Sequence, residues 1–382
     1  MKKNTLKIVL AIALSGFALS ANATAYTFTD LGTLGGVSSW ATAINASGQV
    51  VGSSWTVDKM VHATLWNGTS TTDLGLMSGA DSVANDINDA GQVVGSSSAF
   101  GATLWNGTVA TGLRKVGSNN FLEANITNAT GINNAGQIVG SGSVFVPGNG
   151  YNTQYSFQEQ ALLLDGTTIT NLGTFGGLTS RATAINNTAQ VVGYADITVG
   201  DTRLSGRRAA LWNGTTISNP GGDWQETSRA FDINDTGQVA GYSVFAGGEL
   251  HATIWNGDTA TDLGTLVGAE RSYGAAINTS GQVAGVSLFT GIGSRATLWN
   301  GTEATDLNSF LNASTVAAGW VLTEATGINA NGWIIGNATN GLTGVQHAFV
   351  LAAVPEPESY SILLMGLGLM GFFVRRHKNQ QS

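Results

Sequence analysis

A ten-residue pattern, first seen at residues 43–52, recurs along this chain and constrains its fold more than any other feature. In each copy an Ile-Asn pair is followed by Gly, or in one copy Ala, four residues after the Ile, and by a second Gly eight residues after it. The seven copies have their isoleucines at Ile44, Ile87, Ile132, Ile185, Ile233, Ile277 and Ile328. Residues that favour strands on both sides of Asn-x-x-Gly predict a strand, a tight turn and a second strand.

A second motif follows each copy. Trp-Asn-Gly occurs at Trp66, Trp105, Trp212, Trp255 and Trp299, and weaker equivalents lie at 164–166 and 347–351. Asn-Gly between strand-forming residues predicts a type I′ hairpin turn, with both central residues at positive φ. The next strand ends in Asp-Leu-Gly or a related sequence. One repeat therefore predicts four short strands, named a to d here, which is typical of a propeller blade.

The two ends of the repeat array are complementary. A spare d-type strand at residues 26–32 precedes the first repeat, whereas the last repeat stops at Leu351 without one. The isoleucines are spaced by about 47 residues on average, between the lengths typical of WD40 and kelch blades. We therefore predict an all-β, closed β-propeller of seven four-stranded blades, with the N-terminal strand completing the last blade. Six or eight blades, or an open β-solenoid, are the alternatives.

The N-terminal 23 residues have the order of a secretory signal peptide. Lys2 and Lys3 precede an apolar run at residues 6–19, and Ala21-Asn22-Ala23 forms a small-x-small cleavage site. Export through the Sec machinery is the expected consequence, and the propeller domain is predicted to span residues 24–353.

Residues 354–378 have the order of a sorting tail. The polar motif is Val354, Pro355, Glu356 and Pro357, and a basic cluster begins with Arg375 and Arg376. The apolar stretch between them, residues 360–374, is shorter than the ~20 residues of a standard membrane-spanning helix, which favours transient anchoring in the inner membrane. The tail resembles the PEP-CTERM sorting signal of Gram-negative bacteria. That resemblance implies recognition by an exosortase, in organisms that make extracellular polysaccharide.

The repeats resemble those of the extracellular HAF-repeat proteins. His347-Ala348-Phe349 reproduces the motif that names that family, residues 62–64 and 251–253 are close to it, and residues 30–36 and 171–177 match its linker. The resemblance implies an extracellular location and supplies no reaction.

Charge and residue usage exclude several kinds of function. Residues 24–353 contain 10 basic and 22 acidic residues, a balance that argues against nucleic acid as a partner. The absence of cysteine excludes disulfides and thiolate metal sites. His62, His251 and His347 share one repeat position, which indicates a structural role, and the acidic turns at 86–91 and 232–237 lack the ligands of a calcium loop. We therefore expect no metal, no cofactor and no catalytic constellation.

The connections between strands differ in length at the two ends of a blade. The a–b and c–d turns are short and nearly constant, whereas the b–c and d–a connections vary, and the variable side of a repeat protein is often its binding face. Aromatic and arginine side chains in those connections suit sugar rings or a protein partner. The candidate ligand-binding residues are Tyr151, Tyr155, Arg203, Trp224 and Trp320. The competing interpretation is that such side chains pack the loops onto the blades.

These features predict an exported protein of the cell surface, outer envelope or medium that acts as a binding or structural module, with extracellular polysaccharide or envelope components as ligand. Two alternatives stay open. One is a polysaccharide-cleaving enzyme whose carboxylates converge on the central channel from different blades. The other is a matrix or ice-binding protein without a specific soluble ligand.

Overall fold

The computed structural model describes residues 26–75, 80–113, 125–146, 156–197, 206–221, 227–245 and 247–354. The predicted signal peptide and all of the sorting tail except Val354, which is exposed, lie outside the described residues. Within them, no helix is long and apolar enough to cross a membrane.

The described residues form 28 β-strands and two short helical turns. The chain begins with β1 (Tyr26–Asp30). Blade 1 contains β2 (Gly35–Ile44), β3 (Val50–Thr56), β4 (Val61–Asn67) and β5 (Ser70–Asp73). Blade 2 contains β6 (Ser82–Ile87), β7 (Gln92–Ser97), β8 (Gly101–Asn106) and β9 (Val109–Gly112). Blade 3 contains β10 (Asn125–Ile132), β11 (Ile138–Val146), β12 (Ser156–Asp165) and β13 (Thr168–Asn171). Blade 4 contains β14 (Gly176–Ile185), β15 (Gln190–Ile197), β16 (Arg207–Asn213) and β17 (Thr216–Ser218).

The remaining blades follow the same order. Blade 5 contains β18 (Ser228–Ile233), β19 (Gln238–Val244), β20 (Leu250–Asn256) and β21 (Thr259–Asp262). Blade 6 contains β22 (Arg271–Ile277), β23 (Val283–Phe289), β24 (Gly293–Asn300) and β25 (Glu303–Asp306). A 3-10 turn (Leu307–Phe310) and helix α1 (Ala313–Ala317) lead to blade 7, with β26 (Trp320–Ile328), β27 (Ile334–Asn340) and β28 (Gln346–Ala353).

Each blade is a four-stranded antiparallel sheet in which neighbours along the chain are neighbours in the sheet. The last blade has the order β26, β27, β28, β1, with Tyr26 opposite Ala353 and Asp30 opposite Phe349. This confirms the predicted closed ring of seven blades and its completion by the N-terminal strand, and it excludes the solenoid. Every strand of the ring lies within Tyr26–Ala353.

The Trp-Asn-Gly turns differ from the predicted type I′. In blade 1, Asn67 pairs with Ser70, so the two central residues of the turn are Gly68 and Thr69. Gly68 has a φ of 58°, and the only described non-glycine residues at positive φ are Lys59 and Ala189. Positive φ at the first central position alone is the pattern of a type II′ turn, which requires Gly there. The prediction was wrong because the strand extends one residue further and includes the Asn.

Tryptophan fills the space between blades. The five Trp residues of the Trp-Asn-Gly motifs are at most 1% exposed. Each packs in a cluster with residues of the preceding blade, as Trp105 of blade 2 does with Leu74 of blade 1. Leu164 and Leu351 occupy the equivalent positions in blades 3 and 7. The Trp position of one blade and the Leu of Asp-Leu-Gly in the preceding blade are therefore two halves of one contact that recurs around the ring, except before Trp255, where Pro220 stands in the Leu position.

Candidate ligand-binding surfaces of the propeller

The innermost strand of every blade, strand a, lines a central funnel of about 320 Å³. The lining comes from all seven blades and consists mainly of Asn, Asp, Thr and Ile side chains near the a–b turns. Each strand a carries a register shift of its pairing, a β-bulge, just before its Ile-Asn pair, as between Ala41 and Ala43 in β2. A bulge bends the strand and re-aims its side chains. We call this side of the ring the tight-turn end and the opposite side the variable-loop end.

The Asn of each Ile-Asn pair joins its blade to the next. The Nδ2 atom of Asn45 donates to the backbone oxygen of Asn88 at 3.2 Å, and each following Asn does the same to its neighbour until Asn329 donates back to Asn45. All seven bonds lie between 2.9 and 3.4 Å. They form a closed ring of side-chain hydrogen bonds around the funnel, named the asparagine ring here.

These side chains have little capacity left for a ligand. In blade 4, Asn186 Nδ2 donates to Gln190 Oε1 at 2.9 Å as well as to Asn234. Its Oδ1 accepts from the backbone N–H groups of Thr188 and Gln190. Two donors and two acceptor sites are the full inventory of a carboxamide. The asparagine ring therefore has a structural role. The sequence did not reveal this role, because Asn is also a common turn residue.

Two partly buried carboxyl groups lie in the same funnel, at Asp86 in blade 2 and Asp232 in blade 5. They occupy the position directly before the Ile, where the other blades have Ala or Gly. Asp86 accepts backbone N–H bonds from Ile87 and Ile132, both at 2.8 Å. Asp232 accepts from Ile233 and Ile277 at the same distance. Each carboxyl therefore links its own blade to the next.

Burial dominates the protonation of both groups. Loss of solvent, with a smaller contribution from the charge of Asp232, raises the pKa of Asp86 to about 7 against the opposing effect of its two backbone N–H bonds. Burial likewise raises the pKa of Asp232 to about 6. Among the described residues, no group of three or more His, Asp or Glu side chains is placed to hold a metal ion.

Of the sequence-predicted ligand residues, Trp320 is the one that the described part of the chain contains. Trp320 opens strand β26 instead of lying in a loop, because the connection before it is partly helical. Its ring lies 6.5 Å from that of Phe28 and 5.1 Å from that of His347, so it packs across the seam between the two ends of the chain. The other four, Tyr151, Tyr155, Arg203 and Trp224, lie outside the described residues.

A group of aromatic and arginine side chains lies at the variable-loop end of blades 4 to 6. We call it the Arg–Tyr cluster, and its members are Tyr194, Arg207, Arg229, Tyr242 and Tyr273. The guanidinium carbon of Arg229 lies 4.7 Å from the ring centre of Tyr194, and that of Arg207 lies 5.5 Å from it. Tyr242 and Tyr273 meet edge to face at 5.1 Å. Each of these two contacts, Arg229 to Tyr194 and Tyr242 to Tyr273, joins adjacent blades.

The direction of the strands explains why the Arg–Tyr cluster lies at the variable-loop end. Arg229 is the second residue of β18 and Tyr273 the third of β22, so both stand where strand a enters from a variable connection. Tyr194 and Tyr242 are each the fifth residue of a strand b, which runs toward that end. None of the five members of the Arg–Tyr cluster is among the candidate residues predicted from the sequence. The available signal was the variation at the position four residues before the Ile, where Arg, Tyr, Trp, Val, Asn and Glu all occur.

The three repeated histidines pair with aspartates of strand d in the same blade. His62 Nδ1 lies 2.9 Å from Asp73 Oδ2, and His251 Nδ1 lies 3.0 Å from Asp262 Oδ2. His347 makes the same contact at 2.9 Å with Asp30, which joins the last strand of the ring to the first. The shared repeat position thus corresponds to a structural contact between strands c and d.

Comparisons with known proteins identify the sorting motif of the tail. Residues 353–378 match the family model of the PEP-CTERM protein-sorting motif. No curated protein matches the chain. Among solved structures, the acylaminoacyl peptidase of Pyrococcus horikoshii aligns with 82% of this chain at 12% identity and a TM-score of 0.49, and the chain spans about half, 51%, of that peptidase. The six-bladed fucose-recognising lectin of Aleuria aurantia aligns with 74% of this chain and 99% of its own at 13% identity and a TM-score of 0.34. These likenesses concern the fold alone.

Proposed function

We propose that this chain is an exported protein, sorted by an exosortase through its PEP-CTERM tail, whose propeller binds extracellular polysaccharide or another envelope component without cleaving it. The matched motif at residues 353–378 supports export and association with the envelope. Transient anchoring by residues 360–374 and kinship with HAF-repeat proteins are parts of the same proposal, and they rest on the sequence motifs described above.

The Arg–Tyr cluster is the observation that carries the binding part of the proposal. Aromatic rings offer flat apolar surface for sugar rings, and arginine and tyrosine supply hydrogen-bond donors beside it. Tyr194 and Tyr242 are each 8% exposed and form the buried base of the cluster, whereas Tyr273 is partly exposed and can offer its ring to a ligand. Arg203, one of the sequence candidates, lies in the connection between β15 and β16, the strands that carry Tyr194 and Arg207. Arginine and tyrosine are also the residues that most often dominate binding free energy.

One observation favours the alternative of a polysaccharide-cleaving enzyme, namely the two carboxyl groups of Asp86 and Asp232 in one funnel with raised pKa values. Glycosidases use such pairs, one as acid and one as base or nucleophile. Here, however, both oxygens of each carboxyl accept backbone hydrogen bonds within the scaffold. Groups held in this way are better suited to joining blades than to moving protons, which favours binding over catalysis.

A glycan array probed with residues 24–353, which contain every strand of the ring, tests the proposal. Tyr273→Ala should weaken binding by at least about tenfold. Phe100→Ala, which removes an exposed aromatic side chain of blade 2, is the matched control and should leave binding unchanged. Thermal melts of both variants separate lost contacts from lost folding. Absence of binding to every glycan would overturn the proposal, and release of reducing ends from a polysaccharide would favour the enzyme.

A further inference from the structure

We propose that the Arg–Tyr cluster takes an acidic polysaccharide, with the carboxylate of a uronic acid unit bound by Arg229. The inference rests on the proposed function and specifies its ligand. It depends on the distribution of charge over the chain, on the surroundings of Arg229, and on the aromatic surface beside it.

Charge is distributed unevenly along the propeller. Residues 181–229 contain five arginines and four acidic residues, whereas the rest of residues 24–353 contains five basic and 18 acidic residues. This stretch supplies the arginines of the Arg–Tyr cluster. An acidic body repels polyanions over distances of about a Debye length, ~10 Å at 0.1 M salt, so an anionic ligand is expected only where positive charge is concentrated.

The arginines of this region differ in their partners. Arg181 Nη2 lies 2.6 Å from Glu159 Oε2, and Arg207 Nε lies 3.4 Å from Asp196 Oδ1. Arg229 has no carboxylate within 4 Å among the described residues, and its buried Nε has no hydrogen-bond partner there. Its guanidinium lies over the ring of Tyr194 instead.

A partly buried guanidinium without a counter-ion is unfavourable, because it loses solvation without a full set of hydrogen bonds in return. A ligand carboxylate would supply both a counter-ion and hydrogen-bond acceptors, since the planar fork of arginine matches the two carboxylate oxygens. Of these three arginines, Arg229 is therefore the one that an anion would satisfy, because within the described residues only Arg181 and Arg207 have carboxylates beside them.

The neighbouring tyrosines suggest what carries that carboxylate. Tyr242 lies 5.1 Å from Tyr273 and 5.7 Å from Phe231, so aromatic surface from blades 5 and 6 adjoins Arg229 of blade 5. A uronic acid unit combines a pyranose ring, whose axial C–H groups stack on aromatic faces, with a single carboxylate. Neutral sugars would use the aromatic surface but would leave the charge of Arg229 unpaired.

The test does not require the natural ligand to be known. Three polysaccharides suffice: polygalacturonate, its methyl ester, and dextran. Esterification removes the charge of polygalacturonate and keeps its backbone. The unmodified propeller, residues 24–353, should bind the acid at least about tenfold more tightly than the ester, and the difference should shrink in 1 M salt, where the Debye length is about 3 Å. This comparison needs no variant and so does not depend on any variant folding.

Variants then locate the charge. Arg229→Gln should weaken binding of polygalacturonate by about ten- to a hundredfold and leave binding of the ester unchanged, the size expected for loss of a charge-assisted bidentate contact. Arg271→Gln, an exposed arginine at the start of β22, is the matched control and should change neither. Equal binding of acid and ester would overturn the inference and leave the proposed function standing. Failure to bind any polysaccharide, with an empty glycan array, would overturn both.

Discussion

The Nδ2 atom of Asn329 donates a 3.1 Å hydrogen bond to the backbone oxygen of Asn45, 284 residues earlier in the chain. The same seam between blades 7 and 1 is crossed by Thr326 Oγ1 to the oxygen of Ala41 at 3.0 Å, and by the N–H of Ala348 to Ser39 Oγ at 3.0 Å. Equivalent bonds join blades 1 and 2, from Thr42 to Ala84 and from Ala63 to Ser82. The ring therefore closes with the same contacts that join its internal blades.

The asparagine ring should contribute strongly to stability. Asn186→Ala would leave Gln190 Oε1, the oxygen of Asn234 and two backbone N–H groups without this partner in a buried site. We expect the free energy of unfolding to fall by about 2–4 kcal/mol. Urea titration measures the change, and Thr279→Ala, an exposed residue beside the same ring, should shift the midpoint little. A midpoint for Asn186→Ala within the error of the wild type would contradict the structural role of the ring.

Strand β1 should be needed for a monomeric propeller. Deletion of Tyr26–Asp30 exposes the edge of β28 and removes Phe28, whose ring lies 6.2 Å from that of Phe349. We expect a lower melting temperature and self-association, because an unpaired edge strand invites pairing with another chain. Size-exclusion chromatography with light scattering checks the oligomer. The conservative variant Thr29→Ala, at an exposed position of β1, should remain monomeric. A stable monomer after the deletion would mean that the side-chain bonds of the seam suffice.

Ala189 stands where the other six repeats have Gly, and it has a φ of 63°. The left-handed conformation costs an L-residue roughly 1–2 kcal/mol, while Gly loses about 0.5–1 kcal/mol of chain entropy. Ala189→Gly should therefore raise the free energy of unfolding by about 0.5–1 kcal/mol. The reciprocal variant Gly332→Ala, at a φ of 74° with no atom within 4 Å of the added carbon, should lower it by a similar amount. Both are measured in urea, and destabilisation by Ala189→Gly would refute the argument.

The fold was predictable for two reasons. The strands and turns of each repeat follow from its local sequence, and the displaced strand at residues 26–32 requires a partner strand in the last repeat. The turn type at Asn67 was not predictable, because the length of the strand before the turn decides which two residues are its central residues. Asn-x-x-Gly indicated a turn, but the preference of Asn for turns hides its bond to the next blade. That bond appears only when repeats about 47 residues apart become neighbours.

The candidate site was harder to predict for the same reason. Arg229 contacts Tyr194 of the preceding blade, and Tyr242 contacts Tyr273 of the following one. No spacing within one repeat brings these side chains together. The sequence pointed to Arg and aromatic residues in the variable connections, a prediction that the structure does not test, whereas the Arg–Tyr cluster lies on strands a, b and c just inside the variable-loop end. Trp320, chosen as a loop residue, lies on a strand and packs across the seam.

Asp86 and Asp232 predict a specific dependence of stability on pH. Their folded pKa values, about 7 and about 6, lie above the unfolded value of 3.8. The native state therefore retains protons that the unfolded chain releases, and the free energy of unfolding should fall as the pH rises from about 4 to about 7, then level off. Each group contributes at most about 1.4 kcal/mol per pH unit within its own window. Urea midpoints at half-unit steps from pH 4 to 8 would follow this fall.

The double variant Asp86→Ala/Asp232→Ala isolates that contribution, since Ala occupies the same position in three other blades. It leaves the N–H groups of Ile132 and Ile277 without their acceptors, which lowers stability by a similar amount at every pH. The slope is therefore the informative quantity: relative to wild type, the variant should gain stability steadily between pH 4 and 7. Asp58→Ala, at an exposed turn, should run parallel to wild type. Parallel curves for the double variant as well would show that neither carboxyl binds its proton more tightly in the folded protein.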